Sequence, residues 1–192
     1  MARKPDPGTR DRILDAACRL FDERGVRAVG MQQIIDAGGC GKNLLYREFP
    51  SKDELVVAWL ERCSQGWPQL LEEAERRAPG DPAEQLATVI GLAVEGISGP
   101  GFRGCALRNA HAEFPDPEHP AHRFVVEHYG QRRADLCALA ERAGADDPEA
   151  LADRLSLILD GASANGAILG PTGAAPTATA FARAVIASAT EA

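Results

Sequence analysis

The sequence predicts an all-α fold: a three-helix unit containing a helix-turn-helix at the N-terminal end, followed by a larger body of five or six helices. Three observations carry this. Apolar residues recur at three- and four-residue spacing along nearly the whole chain, and no alternating run reads as a strand. The glycine pair Gly38-Gly39 separates two short helical patterns, the arrangement of two helices joined by a tight turn. Helix starts are written in side chains that accept from backbone N–H groups, as in Ser51-Lys52-Asp53-Glu54, Asp81-Pro82 and Asp147-Pro148.

Taken in order, Ile13, Leu14, Ala17, Leu20 and Phe21 form one apolar stripe, with Thr9 as the expected N-cap and Gly25 as the stop, so the first helix spans 9–24. Met31, Ile34 and Ile35 mark a short second helix. Leu45 and Phe49 are the inward pair of a short third helix. The Ser51 capping box opens the fourth, whose stripe runs from Leu55 to Ala74. Gly66 and Pro68 interrupt that stripe, and an interior proline costs about 3 kcal/mol, so a kink is expected near Trp67, with one helix stopping and another starting there as the alternative. Further helices are expected over 82–98, 103–113, 119–143, 147–169 and 176–190, separated by Gly- and Pro-rich turns. The domain division this implies is 1–50 for the reading head and 51–192 for the body, with the fourth helix linking them.

A chain of 192 residues with 45% hydrophobic content can bury a real core. No apolar run approaches the ~20 residues of a bilayer span, and the first ten residues lack an apolar signal core, so a cytoplasmic location without membrane contact is expected. The five cysteines contain no CxxC pair and read as free thiols. The formal charge of −7 argues against a polyanion partner until its distribution is considered. Residues 1–52 carry a net +3 and residues 53–192 a net −10, a polyanion-binding module on an acidic body. Two of the three lysines, Lys42 and Lys52, fall within fourteen residues of each other around the third helix. Arg3, Lys4 and Arg10 are candidates for a basic arm.

The runs TRDRILDAACRLFDERG and IIDAGGCGKNLLYREFPSKDEL resemble the N-terminal domain of TetR-type transcriptional regulators over roughly residues 9–60. GCALRNAHAEFPDPEHP is similar to the mid-domain segment of one branch of that family. The resemblance implies a homodimer on a partly palindromic operator, and a repressor released by a small-molecule effector. It places Lys42, Asn43, Leu44, Tyr46 and Arg47 on the DNA-facing side of the recognition helix, and Lys52 on a phosphate-contacting position. Their chemistry suits those roles. Lys42 can reach a guanine edge or a phosphate, Asn43 an adenine edge and Leu44 a thymine methyl. Tyr46 and Lys52 suit phosphates, which set register without reading sequence. The sequence departs from the family pattern where Gly30 and Gly41 replace the usual hydroxyl caps, and where Asn43 and Leu44 replace a small residue and a threonine.

A pocket between body helices would hold a largely apolar effector, with Trp67, Phe102, Cys105, Asn109, His128, Tyr129 and Leu159 as candidate lining residues. The last two helices are rich in small residues. By resemblance they pair with their copies in a four-helix contact, with Gly161, Ala164, Asn165, Ile168, Phe181 and Val185 as candidate interface residues. Competing readings are weaker. All four histidines, His111, His119, His122 and His128, lie within eighteen residues, but prolines break the segment and no HExxH or CxxC spacing supports a metal site. Cys105 with His111 or His128 is the sole nucleophile and base pairing for an enzyme, and nothing local activates the thiol. The one GxGxxG spacing, Gly99 to Gly104, follows a helical pattern and not a strand, and no P-loop is present, so no enzyme and no cofactor is expected. A helical ligand-binding protein with weak or no sequence-specific DNA binding is the alternative reading.

Overall fold

The computed structural model describes residues 8–97, 99 and 102–190. Ten α-helices follow one another among these residues: α1 (Thr9–Arg24), α2 (Met31–Gly38), α3 (Lys42–Glu48), α4 (Lys52–Ser64), α5 (Gly66–Arg77), α6 (Pro82–Ile97), α7 (Ala106–Glu113), α8 (Pro120–Arg142), α9 (Pro148–Leu169) and α10 (Ala178–Thr190). Two 3-10 turns, Gly170–Thr172 and Ala175–Thr177, join α9 to α10. No strand occurs among the described residues. The chain divides into two compact units, Met1–Ser64 with Ala106–Val126, and Gln65–Cys105 with Glu127–Ala192. The first unit therefore contains α4 and α7 as well as α1–α3.

In the first unit, the stripe on α1 does what its spacing requires. Ile13, Ala17 and Phe21 are buried against α2 and α4, and the Phe21 ring meets the Trp59 ring edge-on at 5.4 Å. Each fully buried Leu, Ile or Phe contributes about 1.5–3 kcal/mol. Thr9 is not the N-cap: that position is Gly8, without a side-chain bond, and Thr9 is buried inside the first turn. Its methyl and hydroxyl are covered there, the hydroxyl accepting from Arg12 Nη2 at 3.4 Å. Packing has overridden capping preference. At the other end of α2, Gly39 adopts φ 58 and ψ 34, the left-handed geometry that turns the chain into α3.

Ser51 Oγ accepts from Glu54 N at 3.1 Å and starts α4 as expected. The kink near Trp67 is replaced by a helix boundary. α4 ends at Ser64 and α5 begins at Gly66, which puts Pro68 in the first turn of α5. An N–H missing there is one that no helical carbonyl accepts, so the proline deletes no bond. α7 begins at Ala106 rather than 103, after Gly104 at φ 97, and α10 begins at 178 rather than 176 because Ala175–Thr177 is a 3-10 turn.

In the second unit α6 is the central helix, packed by α5, α9 and α10. Leu86, Val89 and Ile90 on α6 are fully buried together with Leu136, Leu151 and Leu155. Gln85 and Ser163 are the buried polar residues of this unit; Gln85 is satisfied, Nε2 donating to Ala78 O at 2.8 Å and Oε1 accepting from Arg142 Nη2 at 3.2 Å, whereas Ser163 Oγ has no hydrogen-bond partner. Asp81 and Asp147 cap α6 and α9 by accepting from Glu84 N and Ala150 N.

Candidate nucleic-acid interface

α3 is seven residues long and has two faces of opposite character. Leu45 and the C-cap residue Phe49 are buried, at 0% and 1% exposure. Lys42, Asn43, Tyr46 and Arg47 are exposed, and Leu44 is half-buried. Tyr46 is 40% exposed, so it is a surface aromatic and not a core one. Arg47 pairs with Glu48 at 3.0 Å. α3 thus offers a cation, a carboxamide, a phenol and a guanidinium on one outward surface, anchored by two apolar side chains one turn apart.

The helix-turn-helix is held from several sides. Arg10, weighed above as part of a basic arm, is tied to α3 instead: its guanidinium lies over the Phe49 ring and donates to Glu48 O. Arg3 and Lys4 lie outside the described residues. Gly30 N, at the start of α2, donates to Gln33 Oε1 at 2.7 Å, so a glutamine one turn on serves the end that lacks a hydroxyl cap. Gly41 precedes α3 with extended backbone and no side-chain cap.

Lys52 is half-buried at the start of α4 and donates from Nζ to Val26 O at 2.7 Å. Burial lowers its pKa from the usual lysine value, against the opposing pull of Glu113 and Asp53. An ammonium has three donors, so two remain after the bond to Val26. Glu113, at the end of α7, accepts from Val26 N at 3.0 Å and from Arg27 N at 2.6 Å. Sequence reasoning missed this contact, which spans more than eighty residues and has no local signal.

The histidines of the first unit are structural neighbours. His111 and His122 rings are 4.5 Å apart, His119 stacks on Phe114 at 4.2 Å, and His119 Nε2 lies 3.4 Å from Asp53 Oδ1. No group of three or more metal-type side chains gathers among the described residues.

The candidate effector residues separate. Trp67 and Leu159 belong to the core of the second unit, and Trp67 Nε1 donates to Asp135 Oδ2 at 2.9 Å. Phe102, Cys105, His128 and Tyr129 are half-buried. Tyr129 OH donates to Cys105 Sγ at 3.9 Å, and burial raises its pKa well above the usual phenol range. Burial beside Arg132 lowers that of His128. Asn109, expected to line the pocket, is exposed on α7 and belongs to the first unit.

On α9 and α10 four of the expected interface residues, Gly161, Asn165, Phe181 and Val185, line a groove of about 560 Å³ together with Leu157 and Ile158, among others, while Ala164 and Ile168 lie outside its lining. Ile168 is 81% exposed, Leu157 73% and Phe181 61%. Ala164 is half-buried, and Asn165 Oδ1 accepts from Ala174 N at 2.7 Å.

An all-α chain with an exposed polar recognition helix following a left-handed glycine turn is a helix-turn-helix protein of the DNA-binding class. Residues 13–59 match the family model described as bacterial regulatory proteins, tetR family. The transcriptional regulator AcuR of Cereibacter sphaeroides is 30% identical over 158 residues, covering 78% of this chain and 72% of that protein. The crystal structure of SCO4454, a TetR-family regulator from Streptomyces coelicolor, superposes with a TM-score of 0.90 at 33% identity, covering 95% of this chain and 96% of that one. A further relative, the uncharacterized HTH-type regulator Rv1255c of Mycobacterium tuberculosis, is 48% identical over 52 residues, which is 27% of this chain and only 26% of that protein. The chain belongs to the TetR family of regulators. No helix of the described residues is long and apolar enough to cross a membrane.

Proposed function

We propose that this protein is a homodimeric repressor that binds a partly palindromic operator through α3 and leaves it when a small, largely apolar molecule binds the second unit. The observation that carries the reading is the outward surface of α3, where Lys42, Asn43, Tyr46 and Arg47 are exposed while Leu45 and Phe49 anchor the helix. Lys42 and Asn43 address base edges, and Leu44 a thymine methyl. Tyr46, Arg47 and the two remaining donors of Lys52 address phosphates, which fix register. The exposed apolar residues of α9 and α10 support a dimer, because a surface of this kind on a regulator is more stable covered than wet. A dimer places two recognition helices for successive major grooves about 34–36 Å apart.

The test is selection from a random duplex pool by the full chain. Enrichment of a motif with two-fold symmetry, lost in Lys42→Ala, supports the reading. No enrichment, or a motif unaffected by Lys42→Ala, sinks it. The effector half is tested by thermal-shift screening with apolar small molecules, followed by competition of each hit against the selected duplex. Linkage requires that a hit which weakens DNA binding is itself weakened by DNA to the same factor.

A further inference from the structure

The Val26–Arg27 turn between α1 and α2 is gripped from both sides. Glu113 takes the two consecutive backbone N–H groups, Val26 N at 3.0 Å and Arg27 N at 2.6 Å, one on each carboxylate oxygen. Lys52 takes the Val26 carbonyl at 2.7 Å. The negative charge of Glu113 in turn favours the Lys52 ammonium against the cost of its partial burial. Gly25, immediately before the turn, has φ 78, and a Cβ there would stand 3.1 Å from Glu113 Oε1. That position thus needs glycine for its backbone and for the room the carboxylate occupies. Three elements meet on one peptide unit: α7 through Glu113, α4 through Lys52, and the turn that leads into α2.

A carboxylate accepting two backbone N–H groups makes two charge-assisted bonds with a fixed geometry. A surface carboxylate with no such task would stay solvated. α2 starts at Met31, four residues beyond Arg27, and α3 follows after one glycine turn, so the orientation of this turn is passed directly to the recognition helix. We propose that Glu113 is a positioning residue for DNA recognition: by clamping the Val26–Arg27 turn to α7 it sets the angle at which α2 and α3 are presented. The inference rests on the DNA-binding reading above, and it assigns a role to a residue outside the helix-turn-helix. α7 is also the segment by which the chain re-enters this unit from the other, at Cys105–Ala106.

The test compares the full-length wild type with Glu113→Gln and Glu113→Ala. Glutamine keeps the shape, but it offers one acceptor oxygen and turns an NH₂ against the second backbone N–H. Binding is measured against the duplex enriched by the wild type and against an unenriched duplex, over a series of salt concentrations. Amide exchange at residues 26 and 27 is followed well below the melting transition. We expect faster exchange at both amides and about tenfold weaker binding to the enriched duplex in Glu113→Ala, with Glu113→Gln between it and the wild type. Binding to the unenriched duplex, which rests on Lys52 and the other phosphate contacts, should change by much less than binding to the enriched one.

Faster exchange with undiminished operator affinity overturns the positioning role. So does an equal loss on both duplexes that tracks a lowered melting temperature, which marks a purely structural contact. A wild type that enriches no duplex overturns the DNA reading, and the positioning role with it.

Discussion

Arg10 lies flat on Phe49, its guanidinium carbon 4.2 Å from the ring centroid, and from there donates to the carbonyl of Glu48 at 2.8 Å. One side chain on α1 thus covers the aromatic anchor of the recognition helix and places a cation at that helix's C-terminal end, where the dipole favours it. Arg10→Ala is expected to cost about 1–2 kcal/mol through the lost stacking and hydrogen bond. Thermal melting followed by circular dichroism reads this directly. Arg10→Lys should recover only part, because an ammonium cannot both stack and reach the carbonyl in the same plane.

The exposed residues of α3 should behave oppositely. Lys42→Ala and Tyr46→Phe remove no buried contact, so melting should shift by less than about 0.5 kcal/mol equivalent. Binding to the enriched duplex should weaken by about 1–3 kcal/mol for Lys42→Ala if it reads a base edge. Fluorescence anisotropy on matched and single-base-substituted duplexes separates base reading from phosphate contact. Uniform weakening across sequences, with the salt slope reduced by about one unit, assigns Lys42 to a phosphate.

Ile168→Glu and Phe181→Glu place charges on side chains that are 81% and 61% exposed in the single chain. They should therefore leave the fold of one chain intact while abolishing self-association and operator binding together. Light scattering gives the mass and anisotropy gives the binding. A wild type that is monomeric at micromolar concentration removes the basis for this expectation.

Glu84 on α6 and Arg183 on α10 form a two-pronged pair at 2.6 and 2.7 Å. The hydrogen bonds from Arg183 hold the Glu84 carboxyl below its ordinary value of 4.5, against a smaller effect of burial. A depressed carboxylate pKa contributes stability above the unfolded-state value and loses it as the pH falls through the folded-state value. Arg183→Gln should thus reduce stability at pH 7 and flatten the dependence below pH 4.5. Both groups are partly exposed, so the effect is modest and shrinks in high salt. Equal losses at pH 7 and pH 3 in denaturant titrations would show that the pair acts by packing alone.

At Gly166 on α9 a Cβ would stand 2.5 Å from Ile97 Cγ2 and 3.2 Å from the Ile97 carbonyl on α6. Gly166→Ala should destabilise by about 1–3 kcal/mol through overpacking, despite its gain in helix propensity. Gly161→Ala is the control, because a Cβ there meets nothing within 4 Å. It should be neutral or stabilising for the single chain.

What the sequence disclosed, it disclosed through local periodicity. The limits of α1, the burial of Leu45 and Phe49, and the caps at Ser51, Asp81 and Asp147 all follow from residues within one or two turns of each other, whereas the outward placement of Tyr46 comes from the family resemblance. Where it misled, distant packing outweighed a local preference. Thr9 has capping chemistry but is covered by its surroundings, and Pro68 reads as a kink until α4 is seen to stop at Ser64. The Glu113 clamp on Val26 and Arg27 had no signal at all, since a glutamate at a helix end looks like any solvated charge until the two segments meet.

If the proposed dimer forms through α9 and α10, where Leu157, Ile168 and Phe181 are largely uncovered, it has a further consequence. Where folding and pairing share a surface, the melting temperature becomes a function of how much protein is present, rising with total chain concentration by mass action. A regulator built this way is sturdier when abundant and frailer when scarce. Its lifetime in a cell, and not only its occupancy of DNA, would then follow its own abundance.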